Sequence, residues 1–285
     1  MEGYYMIKEF FNSPQVLKKA PNTRKAYERD LTSFSQYLAQ YNVSIDNLND
    51  IVVQQYLSQL KTKEGKPCSA ATINRVFASI RTFCHWSNQL GAIFDISIPK
   101  VPHISKQPAK GLSKEEITSL RLKVANNQKN PNKLRDQAIV DFFIYSGCRV
   151  SELVSLNRDD IQYHKGIYTV LIKETKNDEP RKAFFDSKEF KYIKRYLDSR
   201  QDECEPLFLS SRGRISVRMV QTILNNYGIN PHLLRHTFCS VLARENIDPF
   251  TIAQLAGHRD MNTTRRYANP TEQEMADTVS KVFDF

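Results

Sequence analysis

Apolar residues in the first hundred positions recur at helical spacing. Tyr27, Leu31, Phe34 and Leu38 fall at i, i+4, i+7 and i+11, one stripe of a helix. Asn22, ahead of that run, is a candidate N-cap. A second stripe carries Ile51, Tyr56, Leu57 and Leu60 before the turn signal Lys63-Glu64-Gly65-Lys66-Pro67. A third begins at Ser69, lines up Ile73, Val76, Phe77, Ile80, Phe83 and Cys84, and stops near Gly91. Arg75 and Arg81 lie off that stripe, open to solvent or to phosphate. Pro99, Pro102 and Pro108, with Lys100, Lys106 and Lys110 around them, then interrupt every period. Proline lacks an amide hydrogen and restricts the residue before it, so this stretch reads as extended linker. The expected division is a first domain over 1–105, a linker over 106–112 and a second domain over 113–285.

The second domain opens on Ser113 with Glu116 three residues on, a capping-box pattern. Asp136 to Tyr145 is a buried helix ended by Ser146-Gly147, and a new helix starts near Arg149 and runs to Leu156. Ile167 to Ile172 is β-branched and aromatic, and Ala183-Phe184-Phe185 follows a polar turn, which predicts a hairpin. Helical patterns return at Phe190–Leu197, Val217–Leu224, His232–Ala243 and Phe250–Ala256, with a short helix around Tyr267. The fold class is mainly α with one small antiparallel β element.

Charge narrows the class of partner. The 41 Lys and Arg outnumber 31 Asp and Glu, leaving +10. Twelve basic and eight acidic residues precede position 106, and twenty-nine basic against twenty-three acidic follow. Both halves are basic, which suits a chain that grips a polyanion from two sides. No stretch approaches the roughly 18 apolar residues of a membrane span. The start, Met1-Glu2-Gly3-Tyr4, lacks the layout of a secretory signal. Five cysteines, at 68, 84, 148, 204 and 239, are too scattered for a disulfide framework or a zinc ribbon, so a cytoplasmic protein is expected.

Several short motifs carry candidate chemistry. In Asn230-Pro231-His232-Leu233-Leu234-Arg235, asparagine caps, proline takes the first helical position, and His232 and Arg235 share one face of the first turn. Amide donors and the positive helix end lie beside them, an arrangement suited to an anionic oxygen. Gly257-His258 ends a later helix, where the histidine is either a ligand or a capping group. Tyr267 follows Thr264-Arg265-Arg266. Arg149 follows Gly147-Cys148 at a tight turn, either free for a ligand or bonded to Glu152.

Taken in order, Gly-Cys-Arg-Val-Ser-Glu-Leu, a hairpin with lysine in its turn, His-x-x-Arg-His, Gly-His and Thr-x-x-Tyr closely resemble the tyrosine recombinase (phage integrase) family. Thr23-Arg24-Lys25-Ala26-Tyr27 and Ser69 to Asn74 are similar to helices of that family's SAM-like core-binding domain. The layout is most similar to the compact Xer-type and transposon-borne members. The resemblance implies that Arg149, Lys176, His232, Arg235, His258 and Tyr267 are catalytic. Lys176, five residues before Arg181, is preferred to Lys173, which still lies at the strand end.

What the resemblance implies further is a site-specific recombinase that needs no metal, ATP or other cofactor. Tyr267 would attack a phosphodiester to give a 3′-phosphotyrosine, with His232 assisting proton transfer and Lys176 protonating the leaving 5′ oxygen. Arg149 and Arg235 would hold the phosphate oxygens, and His258 would hold a phosphate oxygen or the tyrosine. Two domains would clamp double-stranded DNA carrying specific recombination sites. A homotetramer would exchange strands through a Holliday junction, for resolution or integration of a mobile element or a chromosome dimer. Met275, Val279, Val282 and Phe283 form one apolar stripe on an acidic tail, which either folds back in cis or couples neighbouring protomers. The rival readings are a type IB topoisomerase-like enzyme and a catalytically silent DNA-binding regulator on the same fold.

Overall fold

Helices form where the apolar stripes are, and capping side chains set several of their starts. The computed structural model describes residues 2–101, 111–173, 180–258 and Thr264. The chain divides into two compact units, Met1–Ser105 and Lys106–Phe285. Residues 102–110 of the expected linker region, Lys176, the helix expected around Tyr267 and the tail lie outside the described residues.

The first unit is helical: α1 (Glu2–Asn12), α2 (Pro14–Leu17), α3 (Pro21–Gln40), α4 (Asp50–Ser58) and α5 (Ala70–Trp86). Phe10, Leu31, Phe34, Val53, Ile80 and Phe83 are fully buried between them. The Phe10 ring meets Phe83 edge-on at 5.4 Å and Trp86 at 5.5 Å. Asn49 and Ser69 cap α4 and α5 through the amides of Val52 and Thr72. Three expectations need correction. Asn22 does not cap α3, because Pro21 takes the first helical position and moves the start upstream to Ala20. The third helix ends at Trp86, and a separate 3₁₀ turn covers Leu90–Ile93. Arg75 is not a free basic group: it pairs with Asp30, a carboxylate only 3% exposed that also accepts from Ser79 Oγ at 2.8 Å. A buried charge needs a partner, and the side of α5 that carries Arg75 supplies it. Arg81 is exposed and makes no ion pair among the described residues.

The second unit is built around α7 (Lys133–Ser146), whose residues Arg135 to Ile144 are all buried. Such a helix must satisfy its own charges. Arg135 bonds Asp136, and Arg121 of α6 (Lys114–Ala125) forks onto Asp141. Ser113 and Glu116 form the capping box of α6. After α8 (Val150–Ser155) comes a three-stranded antiparallel sheet in the order β1 (Ile161–His164), β2 (Ile167–Ile172), β3 (Arg181–Asp186). The expected hairpin thus gains a strand. β1 escaped the pattern because it is four residues long with three of them exposed. Val170 faces Ala183, and both point into the core with Phe185 and Ile172. Next are α9 (Lys191–Asp198), the short pair β4 (Leu209–Ser210) and β5 (Gly213–Arg214), then α10 (Val217–Asn225), α11 (Pro231–Arg244) and α12 (Pro249–Ala256). No described helix is long and apolar enough to cross a membrane.

Gly147 closes α7 in the left-handed region at φ 56°, and an added Cβ would lie 2.3 Å from the Phe238 ring. Gly147→Ala combines backbone strain with overpacking. It should cost roughly 2–4 kcal/mol and lower the melting temperature by roughly 5–15 °C. A variant that melts with the parent in calorimetry would refute this account.

Candidate active site

Three helix ends meet at the site. The first is the turn from α7 to α8. Gly147 reverses the chain, Cys148 is buried behind it, and Arg149 stands just before α8. Glu152, one turn on, is completely buried and accepts from the Arg149 amide at 2.8 Å. Arg149 Nη1 donates to Glu152 Oε1 at 2.7 Å, and its Nη2 donates to the Gly257 carbonyl, also at 2.7 Å. Both readings left open for Arg149 thus meet in one residue. It is bonded to Glu152, yet its side chain is 23% exposed and lines a groove.

The second end is the start of α11. Asn230 caps it by accepting from the Leu233 amide at 2.9 Å, and Pro231 takes the first helical position. His232 is exposed at the rim and Arg235 is buried below it. Arg235 Nη1 donates to the Gly147 carbonyl at 2.7 Å, while its buried Nη2 has no hydrogen-bond partner among the described residues. Burial, then Arg149, pull the Arg235 guanidinium down to about 10, so it remains charged at neutral pH.

The third end is the close of α12. Gly257 is left-handed at φ 69°, and the His258 amide donates back to Ala253 O at 2.8 Å. His258 Nδ1 lies 2.8 Å from the hydroxyl of the fully buried Thr264. Burial first, then Arg235 and Arg149, push the His258 ring down to about 4. It is a neutral histidine with one nitrogen already committed.

Cys148, Arg149, Asn230, His232 and Arg235 line a groove of about 510 Å³, with Gln221 and Asn225 of α10 along its side. Burial pushes the Cys148 thiol up to about 12, which removes it as a nucleophile at neutral pH. The structure therefore brings together Arg149, His232, Arg235 and His258. Lys176 and Tyr267 lie outside the described residues. Lys173, the rival lysine, holds the buried Asp160 at 2.6 Å. Arg75 and Arg81 belong to the other unit. Among the described residues no three His, Cys, Asp or Glu side chains gather as a metal site.

In the sequence Arg181 served only as a spacing mark for Lys176 and had no assigned role in the site. The structure places it at the start of β3 with Nη2 donating to Glu152 Oε2 at 2.7 Å. Its partners lie 29 and 74 positions away, so no local pattern signals them. Arg149 and Arg235 at the groove and Arg181 behind it, against the single carboxylate of Glu152, leave a surplus of two positive charges. Such a surplus, with buried forked donors, favours an anion with several oxygens.

A groove with this surplus of positive charge, on a mostly helical unit with a small antiparallel sheet, is suited to an enzyme that handles phosphate groups. Residues 110–274 match the phage integrase family, and residues 7–89 match the phage integrase N-terminal SAM-like domain. The chain belongs to the phage integrase family of tyrosine recombinases, enzymes that cleave and rejoin DNA. Tyrosine recombinase XerC of Pelobacter propionicus is 30% identical over 278 residues, covering 92% of this chain and 89% of that protein. Tyrosine recombinase XerA of Thermococcus kodakarensis is 28% identical, covering 97% and 94%. The fold is shared with XerH site-specific recombinase bound to palindromic difH substrate, at a TM-score of 0.71 and 20% identity over 90% of this chain and 79% of that one. It is shared too with the Tn1549 transposon integrase in complex with a circular intermediate DNA, at 0.73 and 19% over 98% of both chains.

The folded value of His258 lies below the ordinary 6.5, so the unfolded chain takes up that proton first. The stability contributed by the neutral ring is complete above about 6.5 and is lost as pH falls towards about 4. An NMR titration of His258 should find its midpoint near 4. A midpoint at the ordinary value would show that burial and the arginines do not govern this ring.

Proposed function

We propose that this chain is a site-specific recombinase that cuts each strand through a 3′-phosphotyrosyl link at Tyr267 and exchanges strands through a Holliday junction. The observation that supports it best is the surplus of arginine over carboxylate at and behind the groove. A scissile phosphodiester carries one negative charge, and the transition state places more on its non-bridging oxygens. Arg149 and Arg235 are the groups to receive that charge, with Arg235 Nη2 offering an uncommitted donor.

The Tyr267 phenol attacks phosphorus as its proton leaves, with His232 at the rim as the acceptor. The bond from phosphorus to O5′ breaks, and Lys176 gives that oxygen a proton. One phosphoester is exchanged for another, so the bond energy is retained and no ATP is needed. The 5′ hydroxyl of a second strand then attacks the phosphotyrosine and restores Tyr267. Neutral His258, with Nδ1 on Thr264, is left to hydrogen-bond a phosphate oxygen through Nε2. The substrate is double-stranded DNA with specific sites, handled in the cytoplasm during resolution or integration of a mobile element or a chromosome dimer. Four copies assemble on two sites. The tail is the coupling element: Glu272, Glu274, Asp277 and Asp284 against Lys281 give it a net −3, which disfavours DNA and suits a basic neighbouring protomer.

Tyr267→Phe should bind DNA as the parent does and form no covalent adduct on a nicked suicide duplex. An SDS-resistant adduct from that variant would sink the nucleophile assignment. Lys176→Ala should slow cleavage by roughly 10²–10⁴-fold and recover with a 5′-phosphorothiolate, whose leaving group needs no proton. Lys173→Ala removes only the partner of Asp160 and should cleave within about threefold of the parent. Equal losses at both lysines would overturn the choice.

A further inference from the structure

Arg181 has a side chain only 10% exposed and two engaged nitrogens. Nη2 donates to Glu152 Oε2 at 2.7 Å, and Nη1 donates to the Leu255 carbonyl in the last turn of α12 at 3.0 Å. Nε lies against the backbone of Gly257, since a Cβ added there would come within 2.8 Å of it. Arg149 depends on the same two supports. Its Nη1 takes the other oxygen of Glu152, and its Nη2 takes the carbonyl of Gly257. One guanidinium therefore braces, from behind, both acceptors that aim the other.

We propose that Arg181 is a positioning residue for strand cleavage. It supplies part of the counter-charge for Glu152 and holds the Gly257 turn, so that Arg149 stays aimed at the groove with N–H groups left for the scissile phosphate. Stoichiometry carries the argument. Glu152 is wholly buried and divides its two oxygens between two arginines. Without Arg181, Arg149 is the only cation among the described residues bonded to that carboxylate. Pairing in a dry site then draws the Arg149 guanidinium onto both oxygens and away from the groove. The Leu255 carbonyl and the Gly257 turn would lose their brace together.

The inference rests on the reading of Arg149 as a phosphate ligand, and the test separates the two. Single-turnover cleavage is measured on a nicked suicide duplex carrying either a phosphodiester or an uncharged methylphosphonate at the scissile position. The methylphosphonate needs no arginine to neutralise it. Arg181→Ala should cleave the phosphodiester roughly 10–100-fold more slowly, the usual scale for losing a group that orients a ligand without making its contact. On the methylphosphonate it should cleave within about threefold of the parent, as Arg149→Ala should in parallel. Arg181→Lys retains a cation but cannot bridge both acceptors. It should lose about tenfold on the phosphodiester and recover likewise, and it carries the test if the alanine variant does not fold. If Arg149→Ala recovers on the methylphosphonate and the folded Arg181 variants remain slow on both substrates, Arg181 is structural only and the proposal fails. If Arg149→Ala itself does not recover, the phosphate-ligand reading fails and takes the proposal with it.

Discussion

Glu152 is a carboxylate with no exposure to water, and a charge in that position is tolerated only when cations and hydrogen bonds surround it. Its two oxygens accept from the Arg149 amide, the Arg149 guanidinium and the Arg181 guanidinium. Three elements are fixed by that one group: the start of α8, the start of β3 and, through Arg181 and Leu255, the end of α12. The acid thus does more than neutralise. It makes the positions of two arginines interdependent, and the excess positive charge left over is what the groove presents.

The same geometry recurs at two helix ends. α7 and α12 each close on a left-handed glycine, and the carbonyl of that glycine accepts from an arginine of the site. Gly147 O takes Arg235 Nη1 and Gly257 O takes Arg149 Nη2, both at 2.7 Å. A helix C-terminus carries partial negative charge and unpaired carbonyls, so a guanidinium is a natural partner there. The arginines are anchored by one nitrogen on a rigid backbone oxygen and keep others for use. Rigidity matters because donors that must reorganise during the reaction lose most of their effect. Gly147 and Gly257 therefore shape the candidate site through their backbone conformation alone.

Local chemistry made much of this legible in the sequence. The cap at Asn230, proline at 231, the Ser113–Glu116 box and the two closing glycines each announce themselves within a few residues. Candidate residues that follow such signals, Arg149, His232, Arg235 and His258, come together around one site. Partnerships across the fold were not legible. Arg75 is taken by Asp30, 45 positions earlier, and Arg181 reaches Leu255, 74 positions later. Nothing in the neighbouring residues distinguishes a solvated arginine from one that a buried acid will claim. β1 was missed for a related reason: it pairs with β2 through backbone bonds while three of its four side chains face solvent, so no apolar alternation marks it.

Burial divides the labour among the site's titratable groups. Arg235, pulled down to about 10, keeps its proton, and His258, pushed down to about 4, stays without one, so neither changes charge near neutral pH. Each is displaced mainly by the same dry surroundings and next by the neighbouring positive charges. A group so locked can hold a phosphate oxygen but is a poor proton carrier. The groups proposed to move protons therefore have to be ones the core does not enclose. His232 satisfies that requirement, since it sits exposed at the rim one turn above the buried Arg235. The proposed charge stabilisation then falls to buried Arg235 and the proposed proton transfer to exposed His232, a separation set by their different depths on one face of the first turn of α11.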